Sequence, residues 1–466
     1  MLRILPLLLA IVVGGVPVGA VETPLTPDQQ LVRDIYAELV GIDTTEAHGN
    51  TTKAAEVVSR HLQAAGFAAE DIRILGPKPT KGNLVARLAG SGARKPILLL
   101  AHLDVVEAKR EDWSVAPFEL LEQDGFFYGR GTLDDKAMAA IFTGIMMRMQ
   151  RDGLKPDRDV ILALTADEEG GPDNGVDWLL KNHRDLVDAA LVINEGGGGR
   201  MREGRYLMNA VQAAEKTYTN FRLEVTNKGG HSSLPTRDNA IYRLANALTR
   251  IEAFDFPVEL NDVTRGFFAA SANIEGAEIG AALAALLANP ADPQAIERLA
   301  ARPEYNALMR TTCVATMLAG GHAQNALPQT ATANVNCRVL PGHSPAEVQR
   351  VLVQVIDDPE VRVTETEPPV AAPASPLDPE LMTTVKKVTD GLWPGLPAVP
   401  TMSTGASDSR YFRNAGIPAY GISGIFVDVD DIRAHGRDER LGVKQFYEGN
   451  TFLTRLIGEL TGTAAR

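Results

Sequence analysis

The chain has 466 residues, 45% of them hydrophobic and 23% charged, a composition typical of a soluble globular protein. It is too long for one ordinary domain, so two or three are expected. The formal net charge of -13 is spread without a block of like charge, which argues against nucleic acid or another polyanion as partner and reads as solubility.

Residues 1–20 read as a secretory signal. Arg3 gives a short positive start, Leu5 to Val13 is almost wholly apolar, and Val18-Gly19-Ala20 places small residues before a cut. An uncleaved anchor is the alternative, but Gly14, Gly15 and Pro17 interrupt a stretch already short for a span. No other segment is apolar enough to cross a bilayer, so the mature protein is expected to be periplasmic or secreted, without a stable membrane span. The exported setting would permit Cys313 and Cys337 to pair; a bridge and two buried thiols both stay open.

Helical periodicity marks Asp28 to Gly41 and Lys53 to Gly66. Strands follow at Asn83 to Leu88 and Pro96 to Ala101, then a helix over Asp134 to Met149, a strand over Asp159 to Thr165, a helix over Val176 to Asn182 and a closing strand over Ala189 to Asn194. Strands alternating with helices imply an α/β sheet covered on both faces, with its chemistry at the strand ends.

From about Thr217 the order becomes strand (Phe221 to Thr226), helix (Asn239 to Ile251), strands (Thr311 to Leu318 and Thr330 to Leu340), helix (Pro345 to Ile356) and strand (Val361 to Thr366). This β-α-β-β-α-β series is the split ferredoxin-like unit, interrupted by an Ala- and Leu-rich helical insertion near 278–307. A Pro-rich segment, Pro368 to Pro376, leads back to helix and strand material. The expected organisation is a catalytic domain in two parts, 21–215 and 368–466, around a second domain at 216–367.

Five places put histidine or carboxylate at or just beyond a strand end. His102 and Asp104 stand two apart after a buried run, so both project to one side, and the carboxylate can fix the imidazole tautomer that binds metal; a satisfied core histidine is the alternative. Gly129-Arg130-Gly131-Thr132-Leu133-Asp134-Asp135 delivers adjacent acids to a helix start, where capping explains one better than two. Asp167-Glu168-Glu169 concentrates like charge after a strand, which a cation or shared proton would relieve. Glu195 precedes four glycines, and His435 lies in Ala434-His435-Gly436-Arg437-Asp438-Glu439. His102, Asp134, Glu169, Glu195 and His435 make a nitrogen and oxygen shell suited to zinc, with cobalt or manganese as substitutes. These are too many ligands for one open catalytic ion, and one bridging carboxylate would let them serve two.

In this order the motifs resemble the di-zinc metallopeptidase family of acetylornithine deacetylase, succinyl-diaminopimelate desuccinylase, aminoacylase, glutamate carboxypeptidase and carboxypeptidase S, the last type most of all. The resemblance implies a zinc-peptidase-like α/β/α catalytic domain with a ferredoxin-like lid that can form a homodimer. It implies that His102 and Glu195 bind one zinc, Glu169 and His435 the other, and Asp134 bridges them through an aspartate followed by a cis peptide bond. Asp104 would orient His102, and Glu168 would be the general base. His231, in Gly229-Gly230-His231-Ser232-Ser233, would polarise the scissile carbonyl, often from the partner subunit. Asn325, Arg338, Thr404 and Gly405 match segments that contact substrate. The implied substrate is a dipeptide, short peptide or N-acyl amino acid with a free C-terminal carboxylate, because Glu195 and Arg338 favour that polarity over an aminopeptidase; an aminopeptidase or dipeptidase of the same family is the alternative. A non-catalytic binding protein and a carboxylate-dyad glycosidase are the rivals from other classes; the complete acid, base and histidine set speaks against both.

Overall fold

A computed structural model of the chain describes residues 24–463; the proposed signal peptide at residues 1–20 lies outside them. Two helices, Pro27–Val40 and Thr51–Ala64, begin where side chains satisfy free backbone donors. Thr26 forms a capping box with Gln29, and Asn50 accepts from the Lys53 amide. Their stripes, including Ile35, Leu39, Val58 and Leu62, are fully buried and pack against the helix Lys136–Arg151. That third helix is buried on nearly every side.

These helices cover a ten-stranded mixed sheet. Its centre is parallel: Ile97–His102 lies between Val160–Thr165 and Leu191–Asn194, and the last of these also pairs with Ala419–Gly421. Every position of Ile97–His102 and Val160–Thr165 is buried, as parallel strands covered on both faces require. His102 pairs in register with Thr165, so the chain leaves both strands at one edge of the sheet, carrying Asp104 and Asp167 to Glu169 with it.

The strand series does not close at Asn194. Gly199–Arg202 and the long strand Arg205–Glu215 extend the sheet, joined by Phe426–Asp428 and Ala398–Ser403 from the C-terminal part. Arg205–Glu215 escapes sequence reading because its buried half includes Asn209, Gln212 and Glu215. Internal hydrogen bonds engage them, Asn209 Nδ2 donating to Thr389 and Glu215 Oε2 accepting from Ser407, so neither alternation nor an apolar run marks the strand.

The second domain is a four-stranded antiparallel sheet, ordered Thr312–Gly320, Thr330–Val339, Thr217–Thr226, Val361–Glu365. Burial alternates along Thr217–Thr226 and Thr330–Val339. The inward residues pack beneath the helices Ala240–Glu252 and Pro345–Ile356. This is the expected ferredoxin-like arrangement, with its first strand starting at Thr217 rather than Phe221.

The helical insertion is wider than 278–307. It comprises Asp262–Ile274, Ala277–Ala288, Pro293–Ala300 and Pro303–Met309, and starts early because Asn261 and Thr264 form a capping box ahead of buried Phe267 and Phe268. Its core includes Met208 and Val399, so it leans on the catalytic sheet rather than on the lid sheet. Among the described residues, no helix is long and apolar enough to cross a membrane.

Cys313 and Cys337 face each other across the pair of Thr312–Gly320 and Thr330–Val339 and form a disulfide, with Cα atoms 4.1 Å apart. Of the two options open in the sequence, the bridge is the one formed. Closing a loop across a separation of 24 residues contributes about 3 to 4 kcal/mol in the chain-entropy account. Replacing both cysteines by alanine should therefore lower lid stability by about that amount and speed amide exchange in the lid strands first; equal protection in parent and variant would show that the bridge contributes nothing.

Candidate metal centre

The centre is built on Asp134, which the turn Gly129-Arg130-Gly131-Thr132-Leu133 delivers just before the helix Lys136–Arg151. The Asp134–Asp135 peptide bond is cis. Asp134 Oδ1 lies 2.9 Å from His102 Nε2, and Oδ2 lies 3.2 Å from His435 Nε2. One carboxylate thus offers each oxygen to a different imidazole. His435 Nε2 also lies 2.9 Å from Glu169 Oε1, and ligand atoms of His102, Asp134 and Glu169 all lie within 4.8 Å of one another. His435 has φ 62, the left-handed region that side chains seldom occupy. Glu195 emerges from the strand Leu191–Asn194 beside this cluster.

Neighbouring groups hold these residues in place. His102 Nδ1 donates to the main-chain oxygen of Asp104 at 3.0 Å, while the Asp104 carboxylate stands 3.6 Å off. The orienting contact expected of that carboxylate is thus made by its backbone. Asp104 Oδ2 instead accepts from the Glu169 amide at 2.9 Å. Of the three successive acids, Asp167 is neutralised by Lys81 at 2.5 Å, leaving Glu168 and Glu169 for the centre. Asp135, at the helix N-cap position, makes no side-chain capping bond.

A buried ion pair ties the two most distant segments together. Arg130 Nη1 lies 2.5 Å from Glu439 Oε2. Glu439 Oε1 accepts from the amides of Leu133 and Asp134, while Arg130 Nη2 donates to the carbonyls of His435 and Gly436. The pair therefore joins the backbone carrying Asp134 to the backbone carrying His435. Arg130 and Glu439 both stand in the motifs that drew attention in the sequence, but nothing there reveals that they meet.

The electrostatics call for positive charge. Burial pushes the Glu168 carboxyl well above the usual carboxylate range, and the Asp408, Glu195 and Asp104 charges add to it. Burial does the same to Glu195, with Asp134 and Asp135 adding repulsion. Asp408 is pushed up to about 6 by burial, against the pull of Arg410 and a hydrogen bond from Asn174. Burial also opposes ionisation of Asp134, but hydrogen bonds from His102 and His435 outweigh it and hold the carboxyl below its ordinary range. Burial disfavours charge on His102, yet Asp104 and Asp134 raise its pKa well above the usual value. Hydrogen bonds to Asp134 and Glu169 raise His435 to about 10. Asp104 Oδ1 and Asp135 Oδ2 are buried without hydrogen-bond partners. Converging acids, imidazoles on both oxygens of one carboxylate and orphaned buried oxygens fit a cationic occupant, and the donor types suit zinc.

A cleft of about 460 Å³ joins this centre to the lid. Glu168, Glu169 and His435 line one side and Arg338 and Tyr218 the other, with Gly405 and Arg410 between. The Arg338 guanidinium stacks 4.7 Å from the Tyr218 ring centre and donates to the Thr404 carbonyl at 3.3 Å. Thr404 thus meets Arg338 through its backbone. His231 and Asn325 are not among the lining residues. His231 lies on a two-stranded ribbon of the lid and Asn325 in the turn just before its second strand, where the Asn325 carbonyl accepts from the Ser232 amide. His231 Nδ1 accepts from the Ser233 amide at 3.1 Å, which puts the proton of the neutral ring on Nε2 and leaves it free to donate. Sequence reading gave Asp408, Arg410 and Tyr218 no role of their own. The segment of Thr404 and Gly405 leads to the first two, and nothing in the sequence marked Tyr218.

Known proteins bear on this geometry. The chain is 30% identical over 375 residues to the human N-fatty-acyl-amino acid synthase/hydrolase PM20D1, covering 78% of this chain and 74% of that one. It is 29% identical over 382 residues to a probable carboxypeptidase S-like protein of Dictyostelium discoideum, covering 78% and 71%. In fold it is similar to an M20 family metallo-carboxypeptidase from Sulfolobus solfataricus, with a TM-score of 0.69 at 20% identity over 92% of this chain and 99% of that one. Residues 98–459 match the family model, and with the two-domain fold and the acid and imidazole cluster at its strand ends, the chain belongs to peptidase family M20/M25/M40, a family of metal-dependent peptidases and amidohydrolases.

Proposed function

We propose that this chain is an exported di-zinc hydrolase that cleaves the amide bond of an N-acyl amino acid or short peptide next to a residue with a free C-terminal carboxylate. The observation that carries the reading is Asp134, whose two oxygens each face one imidazole, one of them His435, which lines a cleft together with Glu168, Glu169 and Arg338. In this reading His102 and Glu195 hold one ion and Glu169 and His435 the other, with Asp134 shared. Cobalt or manganese can substitute. Bound zinc supplies Lewis acidity toward the carbonyl and a lowered pKa for water. Glu168 takes the proton of the attacking water and passes it to the leaving nitrogen, a task suited to a carboxyl that burial makes more basic. The Arg338 fork receives the terminal carboxylate. The hydrolase activity in the name of the human relative and the carboxypeptidase S-like name of the other support this polarity.

His231 is the carbonyl-polarising donor, supplied by a second copy docked on the lid. Leu234, Met317 and Leu318 are 75%, 71% and 71% exposed, two of them on the edge strand of the lid sheet, an apolar surface of the kind that marks association. The lid disulfide supports export, since such bonds persist in oxidising compartments.

Glu168→Gln should keep bound zinc and lose several orders of magnitude in kcat, whereas His435→Ala should lose zinc. Metal analysis beside steady-state kinetics makes the comparison, and activity of Glu168→Gln within tenfold of the parent would remove Glu168 from the role. Amidation of the substrate carboxylate should cost roughly ten- to a hundredfold in kcat/KM, since a charge-assisted hydrogen bond contributes about 1.5 to 3 kcal/mol. Arg338→Lys should show part of that loss. Faster cleavage of an aminoacyl amide with a free amine than of the matching N-acetyl amino acid would make the enzyme an aminopeptidase. Glu439→Gln leaves Arg130 buried without its counter-charge and should destabilise the fold by about 3 to 5 kcal/mol, with weaker zinc retention on dialysis; parent-like melting and retention would show that the tie positions nothing.

A further inference from the structure

The chain passes from the catalytic sheet to the lid sheet at one residue. Lys216 stands between Arg205–Glu215, the long strand of the first, and Thr217–Thr226, a central strand of the second. It is fully buried, and its amide donates to the Ser403 carbonyl at 3.0 Å. Lys216 Nζ donates to the carbonyls of Ala307 at 2.9 Å and Arg310 at 2.8 Å and to the Thr312 hydroxyl at 3.1 Å. An ammonium has three donors, so each one has an acceptor here, and all three acceptors are neutral. Ala307 lies in the last turn of the helix Pro303–Met309, whose carbonyl end carries the partial negative charge that favours a cation. Burial still pushes the Lys216 pKa down to about 7, with the Arg338 charge adding to the effect. A methionine of similar shape would avoid that desolvation. What the ammonium adds is direction, since three bonds from one atom fix the end of the insertion and the start of Thr312–Gly320 relative to the crossing point.

The places that Lys216 holds surround Arg338. In the lid sheet Arg338 pairs with Thr312 on one side and with Tyr218 on the other. Thr312 is bonded to Lys216 Nζ, and Tyr218 follows Lys216 by two residues. The Tyr218 ring carries the Arg338 guanidinium, which reaches across to the Thr404 carbonyl, next to the Ser403 carbonyl that receives the Lys216 amide. We infer that Lys216 is a positioning residue for Arg338: it seats the lid strands on the catalytic sheet so that the guanidinium meets the carboxylate end of the substrate beside the metal centre. Lys216 itself does not line the cleft. The inference rests on the reading of Arg338 as the receptor of the terminal carboxylate and adds to it the residue that gives this receptor its place. A guanidinium fork binds two oxygens only in a fixed planar geometry, so a lid displaced by about 1 Å would keep the charge and lose the bidentate contact.

The test compares kcat/KM for an N-acetyl amino acid and for its amide in the parent, in Lys216→Met, in Arg338→Ala and in the double variant. In Lys216→Met the acid-to-amide ratio should fall about fivefold or more, through a rise in KM for the acid, while bound zinc stays at the parent level. In the Arg338→Ala background the same substitution should leave the ratio unchanged, because no fork is left to misplace. If Lys216→Met does not fold, Thr312→Val removes one acceptor at a partly buried position and should lower the ratio by roughly two- to threefold. An unchanged ratio in the variant that folds, or an equal loss for acid and amide, overturns the inference, since a lysine that only stabilised the fold would weaken both substrates alike. A further fall of the ratio in the double variant overturns it too. A parent with no preference for the acid, matched by Arg338→Ala, refutes instead the carboxylate reading of Arg338, and the inference falls with it.

Discussion

Asp134 is ionised in a place where burial alone would neutralise it. Hydrogen bonds from His102 on one oxygen and His435 on the other overcome the desolvation, and the same contacts raise the pKa values of both histidines. Glu168 and Glu195, which have no such partners, are driven the other way by burial and mutual repulsion. The rest of the catalytic domain can be understood as the framework that keeps these like charges together. A set of acids this dense is relieved by protons or by cations among them.

The parallel centre of the sheet solves the problem of distance along the chain. His102 and Glu195 leave adjacent parallel strands at the same edge, Glu169 follows the strand between which and Leu191–Asn194 His102 is held, and His435 returns from the C-terminal part. Strands alone do not fix His435, which sits on an irregular turn in the left-handed region. The Arg130–Glu439 pair does that work by bonding to backbone on both sides. Such a pair contributes little net stability once desolvation is counted. Its value lies in the register it imposes between two loops.

Lid and insertion take up opposite flanks of this centre. The lid sheet is buried on one face only, is stapled by Cys313–Cys337 and reaches the catalytic domain at Arg338 and Thr404. The insertion, though it interrupts the lid in sequence, packs on the strand Ala398–Ser403 of the catalytic sheet. The Arg338 guanidinium therefore belongs to the lid flank, and the insertion walls a separate cavity on the other.

By itself the sequence determined much of this. Short apolar runs ending in His102, Glu168-Glu169 and Glu195 showed where strands stop and charge begins, because a buried parallel strand must be continuously apolar and its polar neighbours must lie beyond it. The alternation in Thr330–Val339 and the capped helix Pro345–Ile356 likewise read locally. What the tertiary structure decided are the features that depend on partners far away in sequence. Arg205–Glu215 buries polar side chains that Thr389 and Ser407 engage from distant segments. Asp167 belongs to Lys81 rather than to the centre, His102 leans on a backbone oxygen rather than on the Asp104 carboxylate, and Arg130 finds Glu439 across 309 positions of chain. Local patterning records which faces are buried; it carries no information about which buried charge meets which, since that is fixed only when the sheet brings distant segments together.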